Sequence, residues 1–132
     1  EAQGKPDEAR EAWQKAANQP NQVTEVSYFA ALSLQKLGEP DKAKAIFRSM
    51  VEAGTEQKKN AHLYGYFGVG MPSPLPFELD VKPLHLAEAN LLLTLGYKGL
   101  GKEVDSQVAL QALKEIDPWN LKLCFLEKLG VL

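Results

Sequence analysis

Two stretches of this sequence can be laid one upon the other: Gly4-Lys5-Pro6-Asp7-Glu8-Ala9-Arg10-Glu11-Ala12-Trp13 and Gly38-Glu39-Pro40-Asp41-Lys42-Ala43-Lys44-Ala45-Ile46-Phe47. Gly, Pro, Asp and Ala recur in place, Trp13 answers to Phe47, and the offset is 34 residues. The decamer has a local physical meaning. Gly4 and Gly38 suit the left-handed conformation that ends a preceding helix. Pro6 and Pro40 suit a first helical turn, where the missing N–H has no partner to lose. Asp7 and Asp41 put negative charge at the positive end of the helix. Ala9 and Ala43 are small enough to let helices approach closely. Trp13 and Phe47, four residues on, share their face, and Ala16 and Met50 extend it. A fixed period of this size predicts stacked helical hairpins, each burying its apolar face against its neighbours.

Outward from the decamer, the chain resembles the tetratricopeptide family, whose pattern runs W-x2-L-G-x2-Y, then A-x3-F, then P. A central copy spans about 24–56. It has Ala30-Ala31 at the Leu-Gly positions and Leu34 at the Tyr position, with Ser27 in place of the Trp and Thr55 in place of the closing Pro. A further copy spans about 87–120, with Leu93-Thr94, Tyr97, Gly101, Ser106, Leu110, Leu113 and Pro118. Thr94 departs from the small glycine position, whereas Ser106 keeps a small residue where Ala is usual. The resemblance implies an all-α fold of antiparallel helix pairs in a right-handed superhelical solenoid. It divides the chain into a second helix of a truncated repeat (1–21), a central repeat (22–56), an insertion (57–83), a further repeat (84–118) and a capping helix (119–132). Helices are predicted over about 5–18, 23–37, 40–53, 84–100, 103–116 and 119–129.

The insertion follows from arithmetic. Gly38 and Gly101 are 63 residues apart, 29 more than one repeat. Within the excess, Thr55 is placed to cap a separate helix reaching Tyr66. Gly68 to Phe77 then carries prolines at 72, 74 and 76, which forbid a regular helix and predict an extended arm over 68–83. Tyr66-Phe67-Gly68-Val69-Gly70-Met71-Pro72 and Leu95-Gly96-Tyr97-Lys98-Gly99-Leu100-Gly101 are similar to motifs of a bacterial family known as domain of unknown function 5107. That resemblance implies a larger parent protein with an N-terminal β-rich domain related to sugar-processing enzymes. The chain would then be an accessory domain that packs on, or completes, a carbohydrate-processing enzyme. The opening Glu1-Ala2-Gln3-Gly4, with no initiator Met and no signal-peptide pattern, fits a piece of a longer protein.

Composition narrows the function classes. Over 132 residues the formal net charge is −2, which supplies no basic footprint for nucleic acid. No apolar run approaches the roughly 18 residues of a membrane span. Cys124 is the one cysteine, so no internal disulfide forms, and a cytoplasmic setting is the expectation.

The groups that resemble catalytic or metal sites read more simply as structure. Gly65, Gly68 and Gly70 run into prolines, whereas a phosphate loop opens a helix. His62 and His85 lack the ligand count of a metal site, with only Glu88 three residues from His85. Cys124 sits among Leu121, Leu123, Phe125 and Leu126 as a small hydrophobe. Glu78 and Asp80 share one side of the arm, where Lys82 adjoins them and a solvated edge is the reading. Trp13 and Trp119 read as core and cap. The sequence therefore predicts a non-catalytic chain that needs neither cofactor nor metal.

What remains is a protein-binding surface. In tetratricopeptide arrays ligands meet the inner face built by the first helix of each pair. The resemblance places Glu25, Tyr28, Leu32, Gln35 and Lys36 there in the central repeat, and Glu88, Leu91, Leu95 and Lys98 in the next. A carboxylate clamp needs Asn and several cations, and only two lysines stand at these positions. Tyr28, Leu32, Leu91 and Leu95 predict instead an apolar groove for another domain or another chain; the alternative is a register shifted by one residue, with these side chains in the core.

Overall fold

A computed structural model describes residues 6–17, 23–61 and 82–132. All six elements among the described residues are α-helices: α1 Pro6–Ala17, α2 Glu25–Lys36, α3 Pro40–Asn60, α4 Lys82–Gly99, α5 Glu103–Ile116 and α6 Leu121–Lys128. The all-α expectation holds for them. Gly4, the glycines at 65, 68 and 70, His62, Glu78, Asp80 and the part of the expected arm over 68–81 lie outside the described residues, and the arm's last two positions, Lys82 and Pro83, are helical instead, in the first turn of α4.

Local chemistry sets the helix ends. Thr24 caps α2, its Oγ1 accepting from the Val26 N–H at 3.3 Å. The Ser27 hydroxyl accepts in return from the Thr24 N–H at 3.1 Å, closing a capping box. Ser27, where the repeat pattern has Trp, thus fastens the helix start. Pro40 opens α3, as the decamer predicts. Asn120 opens α6 by accepting from the Leu123 N–H at 3.0 Å.

Three helices end in the same way. Gly38, Gly101 and Gly130 stand at φ of 84°, 74° and 71° after α2, α4 and α6. The N–H groups of Glu39, Lys102 and Val131 reach back to the carbonyls of Leu34, Tyr97 and Leu126 at 2.9, 2.9 and 3.0 Å. This is the Schellman closure of a helix C-terminus.

One boundary differs from expectation. Thr55 does not cap a new helix: α3 runs through it to Asn60, and its Oγ1 donates to the Val51 carbonyl at 2.7 Å. Gly54, in the middle of this helix, is buried because α4 crosses there. A Cβ at 54 would lie 2.9 Å from both the Ala89 carbonyl oxygen and Leu93 Cγ.

Consecutive helices from α1 to α5 pack on one another, α2 also meets α4, and the α3–α4 contact is the most extensive. Its closeness depends on absent side chains. A Cβ at Gly96 would lie 2.8 Å from Val51 Cγ2, and one at Gly99 would lie 2.3–2.5 Å from Phe47 ring atoms. Phe47 and Met50 are wholly buried, and the Tyr28 ring packs at 5.6 Å and 49° to the Phe47 ring. Trp13 is only partly covered, so the two aromatic positions of the decamer match in sequence and differ in burial. Between α4 and α5 the Ser106 hydroxyl donates to the buried Thr94 carbonyl at 2.9 Å. The small side chain at 106 is therefore also a polar tie.

Gly99→Ala should lower the unfolding free energy by about 1–3 kcal/mol through overpacking against Phe47. Gly38→Ala should cost about 1–2 kcal/mol for a different reason, the left-handed backbone, since a Cβ there meets nothing within 4 Å. Urea unfolding of Gly99→Ala, Phe47→Leu and the double variant reads the coupling: the double variant should recover part of the loss, and strictly additive costs would refute the ring–glycine contact.

Candidate docking surface

The nine positions expected on an inner face do not share one environment. Tyr28, Leu91 and Leu95 are 5%, 2% and 0% exposed and belong to one buried cluster with Phe47, Met50, Leu113, Leu123 and Leu126. They are core, which corrects the expectation that they face outward. Leu32 packs partly against the same cluster. Burial raises the pKa of the Tyr28 hydroxyl above its ordinary value. Gln35 and Lys36 are exposed at the end of α2, and Lys98 is half-buried at the end of α4. Glu25 and Glu88 are drawn into a contact the sequence reading did not contain.

That contact comes from α6. The Lys122 ammonium lies 3.2 Å from Glu25 Oε1 in the first turn of α2 and 3.6 Å from Glu88 Oε1 in the second turn of α4. Lys114 on α5 pairs with Glu127 on α6 at 3.0 Å. Leu123 and Leu126 enter the buried cluster, each 2% exposed. Helix α6 is thus tied through Lys122 to the starts of α2 and α4. These ion pairs are exposed or, at Glu25, half-buried, so each contributes about 0–1 kcal/mol. Burial of Leu123 and Leu126, at about 1.5–3 kcal/mol each, holds α6 more firmly.

The physical reason for the correction is legible in α4. From Ala87 to Gly96 only Glu88, Asn90 and Thr94 are polar, and all but Glu88 are buried. The Asn90 amide donates to the Leu86 carbonyl at 2.8 Å, and the Thr94 hydroxyl donates to the Asn90 carbonyl at 2.7 Å. A helix without a polar face is enclosed by neighbours and offers no groove wall.

The exposed apolar surface lies elsewhere. Trp119, Leu121, Phe125 and Leu129 are 84%, 85%, 60% and 52% exposed. Leu121, Phe125 and Leu129 recur every fourth residue, on the side of α6 away from Leu123 and Leu126. Trp119, expected as a cap, stands uncovered in the turn before the helix. Counting back from the terminating glycine gives these positions a meaning. Nine, five and one residues before Gly130 are Leu121, Phe125 and Leu129; the same counts give Phe29, Ser33 and Leu37 in α2, and Leu92, Gly96 and Leu100 in α4. Ser33, Leu92 and Gly96 are buried and the other three partly covered. The face that α2 and α4 bury is the face that α6 leaves bare. The available signal was the apolar content of α6, which occupies two opposite faces and so exceeds what one docking contact uses.

A second surface is charged. A cleft of about 490 Å3 between α3 and the end of α4 is lined by Lys44, Arg48, Glu52 and Lys102, with the Lys102 ammonium 5.9 Å from the Tyr97 ring centroid. Among the described residues no group of three or more His, Cys, Asp or Glu is placed to hold a metal ion. No helix among them is long and apolar enough to cross a membrane. Comparison of the chain with family models, with curated proteins and with solved structures gives no match.

Leu95→Ala should lower stability by about 2–5 kcal/mol, as expected of a core leucine, whereas Leu121→Ala should stay within about 0.5 kcal/mol. Lys122→Met should cost less than about 1 kcal/mol at low salt and almost nothing at 1 M salt. Denaturant titrations at both salt concentrations decide this; an equal loss at both would refute a contribution from the ion pairs to Glu25 and Glu88.

Proposed function

We propose that this chain is a non-catalytic docking module of the tetratricopeptide type, whose partner is a protein, either another domain of the same polypeptide or a separate chain. The 34-residue offset of the decamers supports the repeat class, as do the shared closure of alternate helices and the sequential helix packing. The observation that carries the docking role is the bare face of α6. Four large apolar side chains between Trp119 and Leu129 face solvent at positions where the sister helices are covered. An apolar patch of a few hundred Å2 on one element marks an interaction site more often than chance exposure does. Leu123 and Leu126 join the buried cluster that holds Tyr28, Leu91 and Leu95, so the surface offered to a partner is the other side of α6.

A photoreactive amino acid placed at Leu121, in the cells that make the protein, should give a discrete protein adduct. The same residue placed at Lys44, on the exposed side of α3, should not. Absence of any adduct from position 121, or the same adducts from both positions, would overturn the docking role.

A further inference from the structure

Apart from the docking role, we infer that a cavity between α3, α4 and α5 is a binding site for a free α-amino acid with a small apolar side chain. The argument begins at Asn90. Of the four buried polar residues, Ser33, Thr94 and Ser106 donate to backbone carbonyls at 2.8, 2.7 and 2.9 Å. The Asn90 amide nitrogen does the same to the Leu86 carbonyl at 2.8 Å, but its Oδ1 accepts no hydrogen bond among the described residues. Asn90 is 1% exposed and stands between Ala89 and Leu91 in an apolar run. A buried acceptor without a donor is costly, and native interiors hold few of them. A leucine at this position would carry no such cost.

Asn90 helps to line a cavity of about 190 Å3. Its amide nitrogen is turned to its own helix, which leaves the oxygen as the end of the amide available to that space. Leu93 lies three residues on along α4, and Ala109 and Ala112 form the wall on α5. Larger side chains at 109 and 112 would fill the space. Lys58 from α3 and Asp105 from the first turn of α5 stand exposed at its rim. A cavity of about 150 Å3 takes up benzene, so this one suits a molecule of roughly eight non-hydrogen atoms.

The polar lining selects the chemistry. Asn90 Oδ1 and the Asp105 carboxylate both accept hydrogen bonds, and the Lys58 ammonium donates them. A ligand that satisfies all three carries a cationic N–H donor group and a carboxylate. It has no net charge, as Lys58 and Asp105 together have none. Its ammonium serves Asn90 and Asp105, its carboxylate serves Lys58, and its hydrocarbon side chain lies on Leu93, Ala109 and Ala112. Valine has these groups at this size. The exposed charges at the rim orient the ligand weakly, whereas the bond to the buried oxygen forms away from water and carries more of the affinity.

Amide NMR spectra of the whole chain, titrated with L-valine to about 10 mM, should show saturable shifts centred on Asn90, Ala109 and Ala112. Valinol, which lacks the carboxylate, and isovalerate, which lacks the amine, should bind at least tenfold more weakly. Asn90→Leu should abolish the shifts. In urea, without ligand, it should be no less stable than the parent, because it removes an unpaired acceptor; an asparagine kept for structure alone would show the opposite. Asp105→Asn and Lys58→Gln, at exposed positions, should each weaken valine binding without loss of stability, and they keep the test decisive if Asn90→Leu fails to fold. No saturable shift, which leaves the cavity to water alone, would overturn the site. So would shifts centred elsewhere, full binding of valinol and isovalerate, or indifference to the substitutions at 58, 90 and 105. The docking role of α6 stands or falls separately, in the photo-cross-linking experiment.

Discussion

The close approach of α3 and α4 is the constraint on which the rest of this fold depends. Three positions without side chains make it possible, Gly54 on one helix and Gly96 and Gly99 on the other. Each stands where a methyl group would meet a neighbouring atom within 3 Å. Phe47 fills the space opposite Gly99 and is itself wholly buried. Backbone entropy is the cost, because glycine inside a helix is worse than alanine by about 0.5–1 kcal/mol. Three such positions are tolerated because the interface returns more through packing of Phe47, Val51 and Leu93 than propensity loses.

With α4 so placed, the inner face is no longer an open groove. Tyr28, Leu91 and Leu95 turn into the cluster that Leu123 and Leu126 complete. Lys122 then spans the first turn of α2 and the second turn of α4, joining two helices with one side chain. The functional question therefore shifts from the groove to the helix lying across it. α6 is apolar on both sides, which an isolated surface helix has no reason to be. One side satisfies the core; the other is the exposed face on which the proposed docking role rests.

The helix boundaries were legible because their signals are local. The glycine–proline–aspartate run of each decamer predicts where a helix stops and the next begins, and the predicted ends lie close to the observed ones for five of the six helices. The sixth, α3, was misjudged because Gly54 and Thr55 resemble a stop followed by a cap. Only the neighbouring helix shows that Gly54 is a contact and that Thr55 bonds backward to Val51. The docking surface was half legible. Glu25 and Glu88 were named for their helix position, but the lysine that pairs with them is more than thirty residues further along the chain. A repeat pattern fixes which residues share a face. It does not fix which face a following helix will cover, and the rotation of α4 that buries Leu91 and Leu95 is a property of three neighbours at once.

The enclosure of α4 also sets the order in which the protein comes apart. In an extended solenoid each unit touches only its neighbours, and stability is nearly a sum along the chain. Here α4 touches α2, α3 and α5, and Lys122 adds α6 through Glu88. No fluctuation can release its backbone without opening several interfaces together. α1, which packs on α2 and leaves Trp13 partly uncovered, can detach alone. Amide protons of α1 should therefore exchange with solvent through local fraying. Those between Ala87 and Gly96 should wait for the cooperative loss of the whole fold, which makes α4 the last element to yield its hydrogens to deuterium.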